Sequence, residues 1–400
     1  MAASLLFAAS IGCQSKPSRR ELPEDRAFEL AIMRRYADIA FEGYSDAAEA
    51  ARRLRTAVEN LLDQPSPARL AAARVAWLDA RVPYLQTEVF RFYDGPIDRV
   101  EGFVNTWPID ENYVDSAGSA SSLGIVENAA AYPNLSASLL LSLNEREGET
   151  NVSTGFHVIE YLLWGQDQRD DGPGDRSYQD YVVVQPADSP SAEGHAARTF
   201  AKRRAKYLEL TSELLTQHLA QVSAAWAPEK DNYRAKFLAL PPREALALMI
   251  KGLGTLSGPE LSGERLTVPY ETKDQGNEHS CFSDSTQSDI VYDALGVENT
   301  CLGRHRRLDG SETSGAGLCE LLARRNVGMA AQLKSQLAVS VAAARSIPTP
   351  FDRAILGSDS APGRSAILRT IKALQAQAET FAAAAAPLGV TLSLGEAKRP

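Results

Sequence analysis

Histidine and cysteine are scarce in this chain of 400 residues, with five of the first and four of the second. No two cysteines stand as CxxC, which argues against a zinc ribbon, and no CxxCH is present to attach a haem. Any site built from these residue types must be small. No apolar run approaches the ~18 residues that cross a bilayer, which excludes an integral membrane domain. A basic excess is also missing. The 42 Lys and Arg against 51 Asp and Glu give a net charge of −9, which disfavours a nucleic-acid partner and is compatible with metal cations. Strand signals are nearly absent: residues 181–184 make one short β-branched run, too little for a sheet. With 44% hydrophobic and 23% charged residues, the composition excludes general disorder, collagen and coiled-coil arrays.

What the chain does have is helical periodicity. Apolar residues fall at Phe28, Ile32, Tyr36, Ile39, Ala47, Leu54, Val58 and Leu61, one stripe on a long helix that Pro65 and Pro67 stop. A second helix is predicted from about 68 to 92, kinked at Pro83. A Gly- and Pro-rich stretch to about 120 reads as loops with short helices, and helical segments resume at 136–143 and 153–163. Residues 166–194 are rich in Asp, Gly, Pro and Ser and read as a surface excursion between two halves. A long helix over 196–225 follows, then one starting at Pro241-Pro242, an irregular polar stretch over 254–303, and long helices near 317–346 and 361–387. The expected fold is all-α, with two helical bundles over 24–165 and 195–395. Their similar layouts suggest a distant duplication.

At the start of the chain, residues 2–12 are almost wholly small or apolar, Cys13 follows, and a polar basic stretch comes next. Residues 1–13 therefore read as an export signal ending at a cysteine that can be lipidated, although no Lys or Arg precedes the apolar run and Ser10 stands where such signals usually have Leu. The expected location is the periplasm or outer membrane, with a lipid on Cys13 as the sole membrane contact. In that oxidising compartment Cys301 and Cys319 can close a loop, leaving Cys281 buried or free.

The sharpest local feature is GFHVIEYLLWG at 155–165. His157 and Glu160, three apart, lie on one face of a helix and can aim an imidazole and a carboxylate at one point. Such a pair suits a divalent metal, and helical bundles build metal sites with this spacing. Val158, Ile159, Leu162 and Leu163 cover the rest of the helix, so an unpaired carboxylate there would be costly. Taken alone, a buried His–Glu hydrogen bond accounts for the motif more simply. Two further segments, 105–113 and 264–270 leading to 278–284, set carboxylates beside aromatics in irregular backbone. Such loop residues can complete a site, but capping and turn formation explain acidic loop residues more often.

The run GFHVIEYLLWGQD closely resembles the GxHxxE signature of the imelysin family, also called insulin-cleaving metalloproteinase-like proteins. NTWPIDENYVD, ENAAAYPNLS, EGETNVSTGFHVIEYLLWGQD, GERLTVPYETKDQ and EHSCFSDSTQSDI resemble family blocks in family order, and the resemblance spans roughly residues 27–388. It implies two bundle-like helical domains with a functional site near their junction. It also implies export, often as a lipoprotein, a role in iron uptake beside other envelope proteins, and metal binding through HxxE. On that basis His157 and Glu160 are candidate ligands of a divalent metal, iron or zinc. Trp107, Asp110 and Glu111 are carried over from the WPxDE block, and Glu278, His279, Ser280, Phe282, Ser283 and Asp284 from EHSCFSD. The chain departs from the pattern at Gly276-Asn277, where the family is commonly acidic, and at Ser285 and Gln287, which replace a frequent Asn and His.

A peptidase zinc site needs three protein ligands, an open water position and a general base. Tyr161 stands where the inverted HxxEH motif has its second histidine, so a second imidazole must come from His195, His218, His279 or His305. Of these only His279 lies in a family block. The reading favoured is therefore an exported protein that binds a divalent metal or an iron complex in iron uptake. A metallopeptidase using the same site is one alternative. Another is a peptide- or partner-binding module with a structural His–Glu pair and an aromatic cleft of Trp107, Tyr113, Trp164 and Phe282.

Overall fold

A computed structural model describes residues 23–116, 123–183 and 191–391; the 1–13 segment and Cys13 lie outside the described residues. The first helices are α1 (Pro23–Asp63), α2 (Pro67–Leu85), α3 (Glu111–Val114), α4 (Ala137–Leu143), α5 (Phe156–Trp164) and α6 (Ala192–Trp226). Then come α7 (Tyr233–Ala239), α8 (Pro242–Thr255), a π-helical stretch (Leu256–Thr267), α9 (Val268–Thr272) and α10 (Thr286–Leu302). A hairpin of β1 (Arg304–Arg306) and β2 (Glu312–Ser314) precedes α11 (Leu318–Arg325), α12 (Val327–Arg345), α13 (Phe351–Ile355) and α14 (Pro362–Leu388). The all-α class expected from the periodicity is the one observed.

Local chemistry sets several boundaries differently from the periodicity. Ser66 caps α2 by accepting from the Arg69 amide at 3.3 Å, with Pro67 in the first turn. The helix then stops at Leu85, short of 92, because the Thr87 amide and hydroxyl both turn back onto the Tyr84 carbonyl, at 2.8 and 2.6 Å. The helix expected over 317–346 is broken at Asn326, whose side chain accepts from the Met329 amide at 3.1 Å and starts α12 afresh. Residues 178–181 form a short 3-10 turn rather than the start of a β-branched strand.

The largest correction concerns 254–303, which is not irregular. It holds the end of α8, the π-helical stretch, α9 and all of α10. The inward face of α10 carries Asp289 and Asp293, both fully buried, among Ile290, Ala294 and Val297. Carboxylates on the buried face disguise the apolar stripe by which a helix is read from sequence.

α1 packs along both α2 and α6, so the helix that follows the 166–194 excursion lies with the first group. α14 packs on α12, α8 and the π-helical stretch, and α10 packs on α12. α2 joins the groups by touching α5 on one side and α10 on the other. Gly296 permits that junction, since a Cβ there would stand 2.5 Å from the Gln86 carbonyl oxygen. A single connected apolar core runs through both groups. The disulfide expected between Cys301 and Cys319 ties α10 to α11, and Cys281 is free and half-buried. Among the described residues no helix is long and apolar enough to cross a membrane.

Candidate metal centre

α5 is apolar apart from the His157–Glu160 face and buried along its whole length, the pattern of a central helix. Burying a helix end requires partners for its last four carbonyls. All four have one. The Gly165 amide bonds Tyr161 O at 2.7 Å, the Tyr181 hydroxyl donates to Leu162 O, Arg74 donates to Leu163 O at 3.0 and 3.1 Å, and the Arg176 amide bonds Trp164 O at 2.7 Å. At the other end Gly155 adopts φ +98°, and a Cβ there would meet Val104 O at 2.7 Å. The glycine of the GxHxxE pattern is therefore what lets the chain enter α5 hard against residue 104.

His157 and Glu160 face each other as their spacing predicts, with Nδ1 2.9 Å from Oε2. The other carboxylate oxygen accepts from both the amide and the hydroxyl of Ser283, at 2.9 and 2.7 Å. Both side chains are buried. Burial raises the Glu160 carboxyl to about 8, against the opposing Ser283 bonds. Burial, together with His279 and the Arg81 charge, holds the His157 imidazole well below its usual range, hence neutral. The two groups thus share a proton through Nδ1, and His157 Nε2, also buried, has no hydrogen-bond partner.

His279 stands against His157, with ring centroids 4.8 Å apart at 71°, and the half-buried Trp107 packs on its far side at 5.7 Å. His279 Nδ1 lies 2.7 Å from Asp289 Oδ2. Arg81, a pure donor, stands farther off at 3.4 Å, so the Asp289 contact sets Nδ1 as the protonated nitrogen. Ser280 also donates to Asp289, at 2.5 Å. Both imidazoles therefore carry a carboxyl group on Nδ1, the arrangement that orients metal-binding histidines through their remaining nitrogen.

Beneath this pair runs a buried polar chain. Arg81 holds Asp289 at 2.9 Å and bonds Asn105. Asn105 donates to Glu88 at 2.8 Å, and Glu88 meets Arg265, which reaches Asp293 at 2.7 Å. The guanidinium of Arg81 lies 5.0 Å from the Phe156 ring centroid and 5.5 Å from that of Trp77. Sequence reading missed Arg81 and Asp289. A signal existed for each: an arginine on the buried stripe of Trp77, Ala80 and Tyr84, and two acids four apart on the apolar face of α10.

The other residues carried over by resemblance divide. Ser280, Ser283 and His279 join the site. Phe282 packs on Tyr161 with centroids 5.1 Å apart and anchors the loop through its carbonyl, 3.0 Å from the Gly174 amide. Asp110 caps α3 by accepting from the Asn112 amide at 2.9 Å, and Glu111 bonds Gln166. Glu278 and Asp284 face Asp352 rather than His157. His305 pairs with Asp46 at 3.1 Å and His218 packs on Phe103 at 5.5 Å, so neither reaches the centre. Of the four aromatics expected in a cleft, Trp107 packs on His279 and Phe282 on Tyr161, whereas Trp164 packs on Trp77 and Tyr113 bonds the Leu143 carbonyl. A surface cavity of about 430 Å³ lies elsewhere, lined by residues 164–169, 174–176 and 180.

Comparison with known proteins places these residues in context. The family model described as Imelysin matches residues 40–381. The chain is 25% identical over 359 residues to Iron-regulated protein A of Synechococcus elongatus, covering 88% of this chain and 83% of that protein. A crystal structure described as an iron-regulated protein A precursor from Parabacteroides distasonis superposes with a TM-score of 0.67 at 19% identity, over 94% of this chain and 97% of that one. An imelysin-like protein from Psychrobacter arcticum gives 0.62 at 15% identity, over 92% and 98%.

Proposed function

The chain belongs to the imelysin family, and from that premise we propose that it binds a divalent metal ion, iron foremost, at a centre formed by His157, Glu160 and His279. The observation that carries this reading is the buried, unpartnered Nε2 of His157 beside a second imidazole. An orphaned buried nitrogen is costly, and a metal ion would give it a partner. Two imidazoles, each backed by a carboxyl group on Nδ1, suit iron, zinc or copper, and the name of the similar Synechococcus protein supports iron among these. Zinc would supply Lewis acidity there, and iron would add redox chemistry.

The chain's own residues prepare such a centre. Ser283 fixes Glu160, Asp289 with Ser280 fixes His279, and burial keeps both rings neutral. The proton held between His157 and Glu160 leaves when an ion binds. Export to the periplasm or outer membrane, with Cys13 lipidated, completes the proposal and would set the protein beside other envelope components of iron uptake.

Calorimetry with ferrous and zinc salts tests it. Wild-type protein should take up one ion at this centre. His157→Ala combined with Glu160→Ala should lose that ion while far-UV circular dichroism stays unchanged. Equal stoichiometry in the variant sinks the proposal. Cleavage of a peptide library by metal-loaded protein, lost in the same variant, would instead favour a peptidase.

A further inference from the structure

We propose that Asp167, Asp284, Asp352 and Glu278 form a second cation site, built for a hard divalent ion such as calcium and separate from the His157 centre. One carboxylate oxygen from each of the three aspartates lies within 4.8 Å of the others. They come from three places in the chain: the loop after α5, the loop before α10, and α13. Glu278 is an independent sign that something is meant to bind. It is fully buried, and its carboxyl lies against Asp352 and the Thr286 hydroxyl with no basic group among the described residues paired to it. The oxygens of Asp284 and of Asp352 are likewise buried, with only the other carboxyls of the cluster as side-chain partners, and Asp167 Oδ2 is buried beside Asp284.

Arg169 lends Asp167 positive charge at the edge of the cluster. Among the described residues no Lys or Arg forms an ion pair with Glu278, Asp284 or Asp352. The nearby Arg353 is engaged with Asp171 at 3.9 Å and the Asp170 carbonyl at 3.0 Å. The Asp115 carboxylate elsewhere in the fold shows the contrast, held by both Arg176 and Arg204. Three converging carboxyls, with that of Glu278 against Asp352 and no ion pair to Glu278, Asp284 or Asp352 among the described residues, must either keep protons or hold a cation. Burial and the facing Asp352 and Asp167 charges push the Asp284 carboxyl up to about 8, so at neutral pH an ion that displaces these protons would also relieve the repulsion.

The donor set names the class of ion. It contains oxygen only, with no imidazole or thiolate, which favours calcium or magnesium over zinc or iron. Oxygens on opposite sides of calcium stand about 4.6–5.2 Å apart, since each bond is roughly 2.3–2.6 Å, and the observed spread fits within that span. Asp167 also lines the surface cavity, which provides entry for the ion and space for water ligands. Asp284 directly follows Ser283, which holds Glu160, so an ion here would brace the loop that brings His279 and Ser283 to the first centre.

Calcium titration of the chelator-stripped full chain, followed by calorimetry and thermal melting, tests the site. One calcium ion should bind and raise the melting temperature. His157→Ala combined with Glu160→Ala should bind it as wild type does, whereas Asp352→Asn should weaken it at least about tenfold. Should Asp352→Asn fail to fold, Asp167→Asn on the surface loop provides the same comparison. In wild type, terbium luminescence excited through the tryptophans, Trp164 being beside Asp167, should appear and be displaced by calcium. The proposal is overturned if millimolar calcium gives neither heat nor a melting shift, if Asp167→Asn and Asp352→Asn both bind as wild type does, or if the His157 variant loses calcium.

Discussion

Replacing Arg81 by methionine removes the charge that holds Asp289 while keeping most of the volume against Phe156, Trp77 and Tyr84. Asp289 is fully buried and would keep only His279 and Ser280 as partners. Stripping one member from a buried ion pair costs roughly 3–5 kcal/mol, because the other charge is left uncompensated. Urea unfolding followed by tryptophan fluorescence should show that loss, since Trp77 lies beside the substitution. A second readout separates this from a packing defect. Burial and the Arg265 and Arg81 charges hold the His279 imidazole well below its usual range, so its NMR titration should move upward in Arg81→Met. Adding Asp289→Asn removes the orphaned charge and should restore about 1–3 kcal/mol, a coupling expected for residues in direct contact. A loss under about 1 kcal/mol with an unmoved His279 titration would refute the claim that Arg81 and Asp289 organise the site.

Stability should fall with pH on the alkaline side. Glu160, raised from 4.5 to about 8 by burial, keeps a proton that the unfolded chain has already released. Its contribution is complete below 4.5 and is lost as pH rises through about 8. His157 acts in the opposite sense, its contribution being lost as pH falls below 6.5, which leaves pH 6.5–8 for the Glu160 limb, superposed there on those of Asp284 and Glu127. At ~1.4 kcal/mol per pH unit that limb amounts to about 2 kcal/mol, and Glu160→Gln should flatten it in urea titrations; an unchanged slope would count against the buried proton. Gly155→Ala forces a Cβ toward Val104 O at φ +98°, so it should cost about 1–3 kcal/mol and weaken metal binding in calorimetry by shifting the start of α5. Wild-type stability in that variant would show that the glycine is incidental.

Local spacing determined much of this protein. The long amphipathic helices, the stop after α1 at Pro65 and Pro67, and the facing of His157 and Glu160 all follow from contacts three or four residues apart, which the chain specifies by itself. The Cys301–Cys319 link was also legible, because those two cysteines sit 18 residues apart in a short polar stretch. Tertiary structure decided the rest. Arg81 and Asp289 are 208 residues apart, and nothing in their local surroundings pairs them until α2 and α10 pack together. α10 was hidden because its acids point inward, where only distant arginines make them tolerable. Glu278 and Asp284 share a sequence block with His279 and Ser283 but turn away from them, since neighbouring loop residues can face opposite sides of one segment. The sequence thus specified the first pair of the site. Only packing seated the second imidazole against the first and supplied the charges that hold it and the acids of Asp167 and Asp352 that Glu278 and Asp284 meet.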